Sequence, residues 1–293
     1  MVGRTSVSRK IFCVFNVLFF ALASFSCLYP IWYVIVQSFS TGNLATNASV
    51  WPIGFSFENY QQVLNTSNIT QAMAISVART VVGTAATLLA CMLLGYLFSK
   101  PDIPGRKFMY RMLIFTMYVS GGLIPTYLVY KLYGLNNSFF VYILPYVVNA
   151  YYVILIKTYV EQLPISVEES AMIDGAGTLR IFTQIILPMS LPIAATVAIY
   201  ASVAQWNAWF DNHIYAINNK EIMTLQYMLY RFLQDAEAIA KEIREKNPEA
   251  RQMITPRGVR MAITVITIVP VMFIYPFLQR YLIKGIMIGA VKG

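Results

Sequence analysis

Charge is scarce in this sequence. Only 12% of its 293 residues are Asp, Glu, Lys or Arg, about half the share of about 25% found in soluble domains. Hydrophobic residues make up 58%, and the mean hydropathy is +0.59. A surface so poor in charge cannot all face water, so the length is read as a number of membrane crossings. Histidine occurs once, as His213, and the three cysteines, Cys13, Cys27 and Cys91, lie inside apolar runs, where cysteine acts as a small hydrophobe. No metal-ligand spacing is present, so zinc and disulfide frameworks are excluded. A phosphate-cradling Gly-x-x-x-x-Gly-Lys-[Ser/Thr] loop is also missing, so ATP hydrolysis would need a separate subunit. The net charge of +9 does not indicate nucleic acid, because the basic residues flank apolar runs instead of forming a patch interleaved with aromatics.

What is present is a series of long apolar runs. The first, Ile11–Val36, is uncharged and follows Arg4, Arg9 and Lys10. It exceeds the about 7–15 residues of a signal peptide's apolar region, and no small-residue cleavage site follows, so it reads as a retained transmembrane helix. Five more spans are expected near Ala72–Phe98, Phe108–Tyr130, Ser138–Leu155, Pro188–Phe210 and Ala262–Leu282, each near the ~20 residues that cross a bilayer. The loop Ser38–Thr70 carries no Lys or Arg, whereas the next carries Lys100, Arg106, Lys107 and Arg111. The positive-inside rule then puts both termini in the cytoplasm. The long segment 211–260 falls outside despite its basic residues, which seven acids offset, and long loops translocate largely regardless of charge. Glu237/Lys241 and Glu242/Lys246 pairs at i,i+4 predict a solvated helix from about Tyr227 to Lys246 within it.

The acids are placed as tellingly as they are few. All thirteen fall in loops or at span edges, so an ion-coupled carrier would have no intramembrane carboxylate to run on. One cation is deep: Arg79, about seven residues into the second span, on its outer half. It either snorkels to the headgroups or lines a wet cavity and binds a substrate hydroxyl or carboxylate. Trp206, Asn207 and Trp209 sit near the outer end of the fifth span. The tryptophan rings can stack on sugars, but tryptophan also populates interfacial belts, and Trp209 reads first as a belt residue. Asn207 suits a cavity or a helix–helix contact. Tyr151 and Tyr152 read as core or interface.

The loop between the fourth and fifth spans reads Glu169-Ser170-Ala171-Met172-Ile173-Asp174-Gly175, nine residues, then Ile185-Ile186-Leu187-Pro188. It resembles the Glu-Ala-Ala loop of permease subunits in ATP-binding-cassette (ABC) importers: Glu-Ala-Ala, three residues, Gly, nine residues, Ile-x-Leu-Pro. Ser170 for the first Ala is the one departure. Small residues at Ser170 and Ala171 would allow close approach to a partner cleft. Gly175 would permit a turn that a Cβ obstructs. Glu169, near a helix start, would suit the dipole and could meet a partner's basic residue.

Further segments resemble sugar permeases of the maltose-transporter type: Phe55-Ser56-Phe57-Glu58-Asn59-Tyr60, Gly121-Gly122-Leu123-Ile124-Pro125-Thr126-Tyr127, Trp206-Asn207, Tyr275-Pro276-Phe277-Leu278-Gln279 and Lys284-Gly285. Some of that branch handle fragments of acidic polysaccharides such as alginate or pectin. The resemblance implies an all-α, six-helix permease of the type I importer fold in the cytoplasmic (inner) membrane. It also implies a coupling loop at 161–188 and ATPase-docking residues Glu169, Ser170, Ala171, Asp174 and Gly175. The implied partners are a second, non-identical permease, two copies of an ATPase that hold ATP and Mg, and an external solute-binding protein. No bond chemistry is expected in this chain. A secondary carrier acting alone, a membrane scaffold, and an ABC permease for peptides or amino acids are the rival readings.

Overall fold

The computed structural model describes residues 7–40, 50–66, 68–235, 241, 245 and 256–272, and among these every regular element is helical. Helices α1 (Val7–Ser38) and α3 (Ile69–Ser99) run 32 and 31 residues, about 46–48 Å at 1.5 Å per residue. Both are long and apolar enough to cross a membrane, and two bent helix pairs raise the number to four if each pair is one span. Side chains of α1 from Ile11 to Leu28 are exposed, an arrangement that an apolar solvent, not water, stabilises.

Two compact units make up the chain. One comprises the described residues up to Asn68 together with 231–268. In it α2 (Glu58–Thr66) begins where Ser56 Oγ accepts a hydrogen bond from Glu58 N at 3.0 Å, a helix-entry cap. Asn59 Nδ2 donates to the Ser38 and Ser40 carbonyls at 3.0 and 3.1 Å, holding the orphan C-terminus of α1. Phe39, Phe55, Phe57 and Tyr60 close around this junction with ring centroids 5.0–5.4 Å apart. The Phe55–Tyr60 motif is thus an end-clamp for α1. A further helix is described over 256–272, starting ahead of the expected Ala262.

The other unit, built on Ile69–Tyr230, is organised around α3. Ser76, Arg79, Gly83, Thr87, Cys91 and Gly95 recur every three or four residues and are all buried, so they form one face. Against that face lie α6 (Ala150–Val160) and α10 (Leu191–Asn207). A Cβ at Gly95 would stand 2.5 Å from Ile156 Cγ2 and 3.1 Å from Lys157 N, so the two helices touch backbone to side chain there. Gly95→Val is therefore expected to destabilise the protein by about 1–3 kcal/mol through overpacking. A melting curve in detergent unchanged from wild type would disprove that contact.

Three expected spans are interrupted. The third divides into α4 (Arg106–Tyr118) and α5 (Leu123–Leu132), because Gly122 takes φ +82° and Ser120 Oγ accepts from its N–H at 3.3 Å. The fourth begins as two 3-10 turns, Phe139–Tyr142 and Leu144–Tyr146, and bends by 45° into α6. Pro145 cannot donate a backbone bond. The carbonyls freed near it are met from α3: Tyr146 O by Thr87 Oγ1 at 3.2 Å, Val147 O and Asn149 O by Cys91 Sγ at 3.7 Å. The fifth follows α7 (Ile165–Ile173), α8 (Thr178–Ile181), a π turn over Phe182–Ile186 and α9 (Leu187–Met189). It bends by 79° at Ser190 into α10. That helix stops at Asn207, where Ala208 takes an extended ψ of 125°. Trp209 and Phe210 therefore lie beyond the span, and Phe210 opens α11 (Phe210–Tyr215).

After it come a 3-10 turn at Lys220–Ile222 and α12 (Leu225–Gln234). The helix expected over Tyr227–Lys246 thus begins at Leu225, and Glu237, Glu242 and Lys246 of its expected pairs lie outside the described residues.

Candidate functional site

Helix α7 starts right after Pro164, whose fixed φ and missing N–H suit a helix entry. Glu168 therefore falls in the first turn and Glu169 one position further on. Glu168 is buried, and its carboxylate makes a close ion pair with Lys100 Nζ at the end of α3. The Lys100 ammonium also lies 4.7 Å from the Tyr96 ring centroid, a cation–π contact. Nearby, Arg106 Nη1 donates to Phe98 O and Ser99 O at 3.2 Å, covering the last carbonyls of α3.

Of the expected docking residues, Ala171 is placed differently. Ala171 is buried in the core with Tyr96, Val160, Ile181 and Ile186, so it seats α7 on its own chain instead of a partner cleft. Glu169, Ser170 and Asp174 are exposed, and Ser170 Oγ returns to Ser166 O at 2.8 Å. Gly175 adopts φ +78°. Gly175 N bonds Met172 O at 3.0 Å and Ala176 N bonds Ala171 O at 2.9 Å, a Schellman helix end. An added Cβ would meet nothing within 4 Å, so glycine serves the dihedral and not the space. Around it Ile165, Met172, Ile173 and Leu179 stand exposed, Ile173 at 86%.

At the other end of α3 the second charged centre forms. Arg79, 1% exposed, neither snorkels nor stands free. Its Nη1 donates to Asp211 Oδ1 at 3.0 Å and its Nη2 closes on Oδ2, a two-pronged pair with a carboxylate that is 3% exposed. Nε donates to Gln205 Oε1 at 2.9 Å, Nη1 also reaches Ala208 O at 3.1 Å, and the guanidinium carbon lies 4.7 Å from the Tyr142 ring centroid. The cation thus holds the C-terminal end of α10, where the helix dipole favours positive charge, and ties α11 to α3. Asp211, read from sequence as one of several loop acids, is drawn inside because the chain turns at Ala208.

The segment after α11 is pinned to the same face. Asn212 Oδ1 accepts from Thr224 N at 2.8 Å, Leu225 N donates to Ser76 Oγ at 2.8 Å, and Tyr142 OH donates to Ile222 O at 3.0 Å.

A groove of about 270 Å³ opens above the Arg79–Asp211 pair. Asn207 and Trp209 border it, with Tyr146, Asn149, Tyr152 and Phe210. Trp209 stacks on Tyr230 with centroids 4.2 Å apart and planes 13° from parallel, so one indole face is covered within the chain. Trp206 points elsewhere and is buried. Tyr152, read from sequence as core or interface, borders the groove, while Tyr146 and Gln205 escaped sequence reasoning because tyrosine and glutamine in apolar runs carry no spacing signal. Among the described residues no cluster of three His, Cys, Asp or Glu could hold a metal ion.

No profile of a known protein family matches the chain. Individual relatives do. It is 36% identical over 288 residues to protein LplC of Bacillus subtilis, covering 97% of this chain and 96% of the relative. It is 34% identical over 280 residues to the polygalacturonan/rhamnogalacturonan transport system permease protein YtcP of the same organism, covering 94% and 96%. Among solved structures it matches a chain of a bacterial ABC transporter involved in the import of the acidic polysaccharide alginate. There the TM-score is 0.87, with 28% identity over 96% of this chain and 99% of that one. With identities above 30% along nearly its whole length, this chain belongs to the family of carbohydrate ABC transporter permease subunits.

Proposed function

We propose that the chain is the permease of an importer for acidic oligosaccharides, with six spans and both termini in the cytoplasm of a cytoplasmic (inner) membrane. In this reading ATP is hydrolysed by two copies of a separate ATPase, a second, non-identical permease completes the pathway, and an external binding protein delivers the sugar. The carrying observation is the α7–Gly175–α8 elbow. It offers exposed Ile165, Met172, Ile173 and Leu179 beside the exposed carboxylates of Glu169 and Asp174, while Glu168 and Ala171 fix it to its own chain. Apolar anchors with a charged rim form the pattern of a protein contact. The same segment continues through the 79° bend into α10, which ends on Arg79 and Asp211. A push on the elbow thereby reaches the groove.

The acidic substrate class rests on the substrates that YtcP and the alginate importer are named for, both acidic polysaccharides. The secondary-carrier reading lacks support here, since the Arg79–Asp211 pair holds its carboxylate in a closed set of bonds.

Ile173→Glu places a charge on the most exposed anchor. The expected result is a permease that still inserts but no longer retains the ATPase on purification, with oligogalacturonate uptake into proteoliposomes falling to background. Wild-type uptake should stop with vanadate. Uptake by the permease without any ATPase would end the ATP-driven reading.

A further inference from the structure

We infer that the groove over α10 is a subsite for one sugar ring that reads hydroxyls and ignores the carboxylate, a reading that rests on the sugar-import function above. Its floor supplies no free charge. Asp211 answers the Arg79 guanidinium with both oxygens, Gln205 and the Ala208 carbonyl accept from it as well, and the Tyr142 ring centroid lies 4.7 Å from its carbon. A substrate carboxylate would have to displace Asp211 to reach it, leaving an unpaired buried acid.

The rim, in contrast, is rich in uncommitted neutral groups. The hydroxyls of Tyr146 and Tyr152 bond to nothing among the described residues, although both side chains border the groove. Asn149 and Asn207 spend only their oxygens, on Tyr152 N at 3.3 Å and on Gln226 Nε2 at 3.1 Å, so both amide nitrogens remain to donate. Two hydroxyls that donate or accept and two N–H₂ donors around an aromatic wall suit the equatorial hydroxyls and apolar face of a pyranose. The volume of about 270 Å³ lies just under the range of about 300–1,000 Å³ for drug-sized ligands, which fits one ring better than a chain. If the cargo is acidic, its carboxylates are read outside this groove.

The test compares an oligogalacturonate with its carboxyl-reduced counterpart in proteoliposomes holding the whole complex with its binding protein. Tyr146→Phe/Tyr152→Phe keeps both rings and removes only the hydroxyls. Each lost neutral hydrogen bond is worth a few-fold, so the initial uptake rate at sub-saturating sugar should fall roughly tenfold. The factor should be the same for the acidic and the reduced sugar. Unchanged rates would overturn the subsite, as would a loss confined to the acidic sugar. Wild-type complex that carries neither sugar would instead remove the proposed function, and the subsite with it.

Discussion

Asp211→Leu should cost the permease about 3–5 kcal/mol, because it strands the Arg79 cation at 1% exposure with no counter-charge. At the size of this chain that corresponds to a melting temperature lower by on the order of 10 °C. Arg79→Met/Asp211→Leu should recover part of the loss, since an apolar pair of similar volume leaves no buried charge unanswered. A residue of about 1–3 kcal/mol should persist, because Gln205 Oε1 and Ala208 O lose their donor. Thermal unfolding of the purified complex in detergent separates the cases, and a double variant no more stable than Asp211→Leu would refute the pairing account. A transport corollary follows. A free cation at position 79 would make Arg79→Gln selectively harmful to acidic sugars, whereas a committed guanidinium makes it harm acidic and neutral sugars alike.

The contrast between those two outcomes marks where sequence reasoning stopped. Arg79 was legible as a deep cation and Asp211 as an acid at a span edge. Their union depends on Ala208 leaving the helix at ψ 125°, which no hydropathy pattern announces. The long spans α1 and α3 were legible because their apolar runs are continuous. The others were blurred for a shared reason. Ser120-Gly121-Gly122, Pro145 and Ser190 sit inside apolar stretches, and an average over about twenty residues hides a break of three. The family's loop was legible from spacing alone, yet spacing did not reveal that Ala171 faces inward. Pro164 sets the helical phase, turning Glu168 and Ala171 inward and leaving Glu169 out. A spacing motif fixes which segment matters. Only the helix start fixes which side chains face the partner.

That phase also makes Glu168 the residue whose reversal should hurt coupling most. Glu168→Lys would set a second ammonium against Lys100 in a site where Glu168 is only 7% exposed. The lost charge-assisted bond is worth roughly 1.5–3 kcal/mol, and repulsion adds to it. Because Lys100 is partly exposed, solvent screens part of the effect. Even the lower figure displaces α7 from its seat on α3 by about tenfold in population, so sugar carried per ATP hydrolysed should fall about tenfold or more. The single variant alone would not distinguish a link from mere loss of fold. Lys100→Glu/Glu168→Lys restores opposite charges at the same two positions and should regain most of the transport. Glu169→Lys provides the contrast. Its carboxylate is exposed and Lys100 pairs with Glu168 instead, so Lys100→Glu should not rescue it. Parallel measurement of oligosaccharide uptake and ATP hydrolysis in proteoliposomes reads all four. A charge-swapped pair as poorly coupled as Glu168→Lys would mean that the Lys100–Glu168 contact does not transmit motion between the elbow and α3.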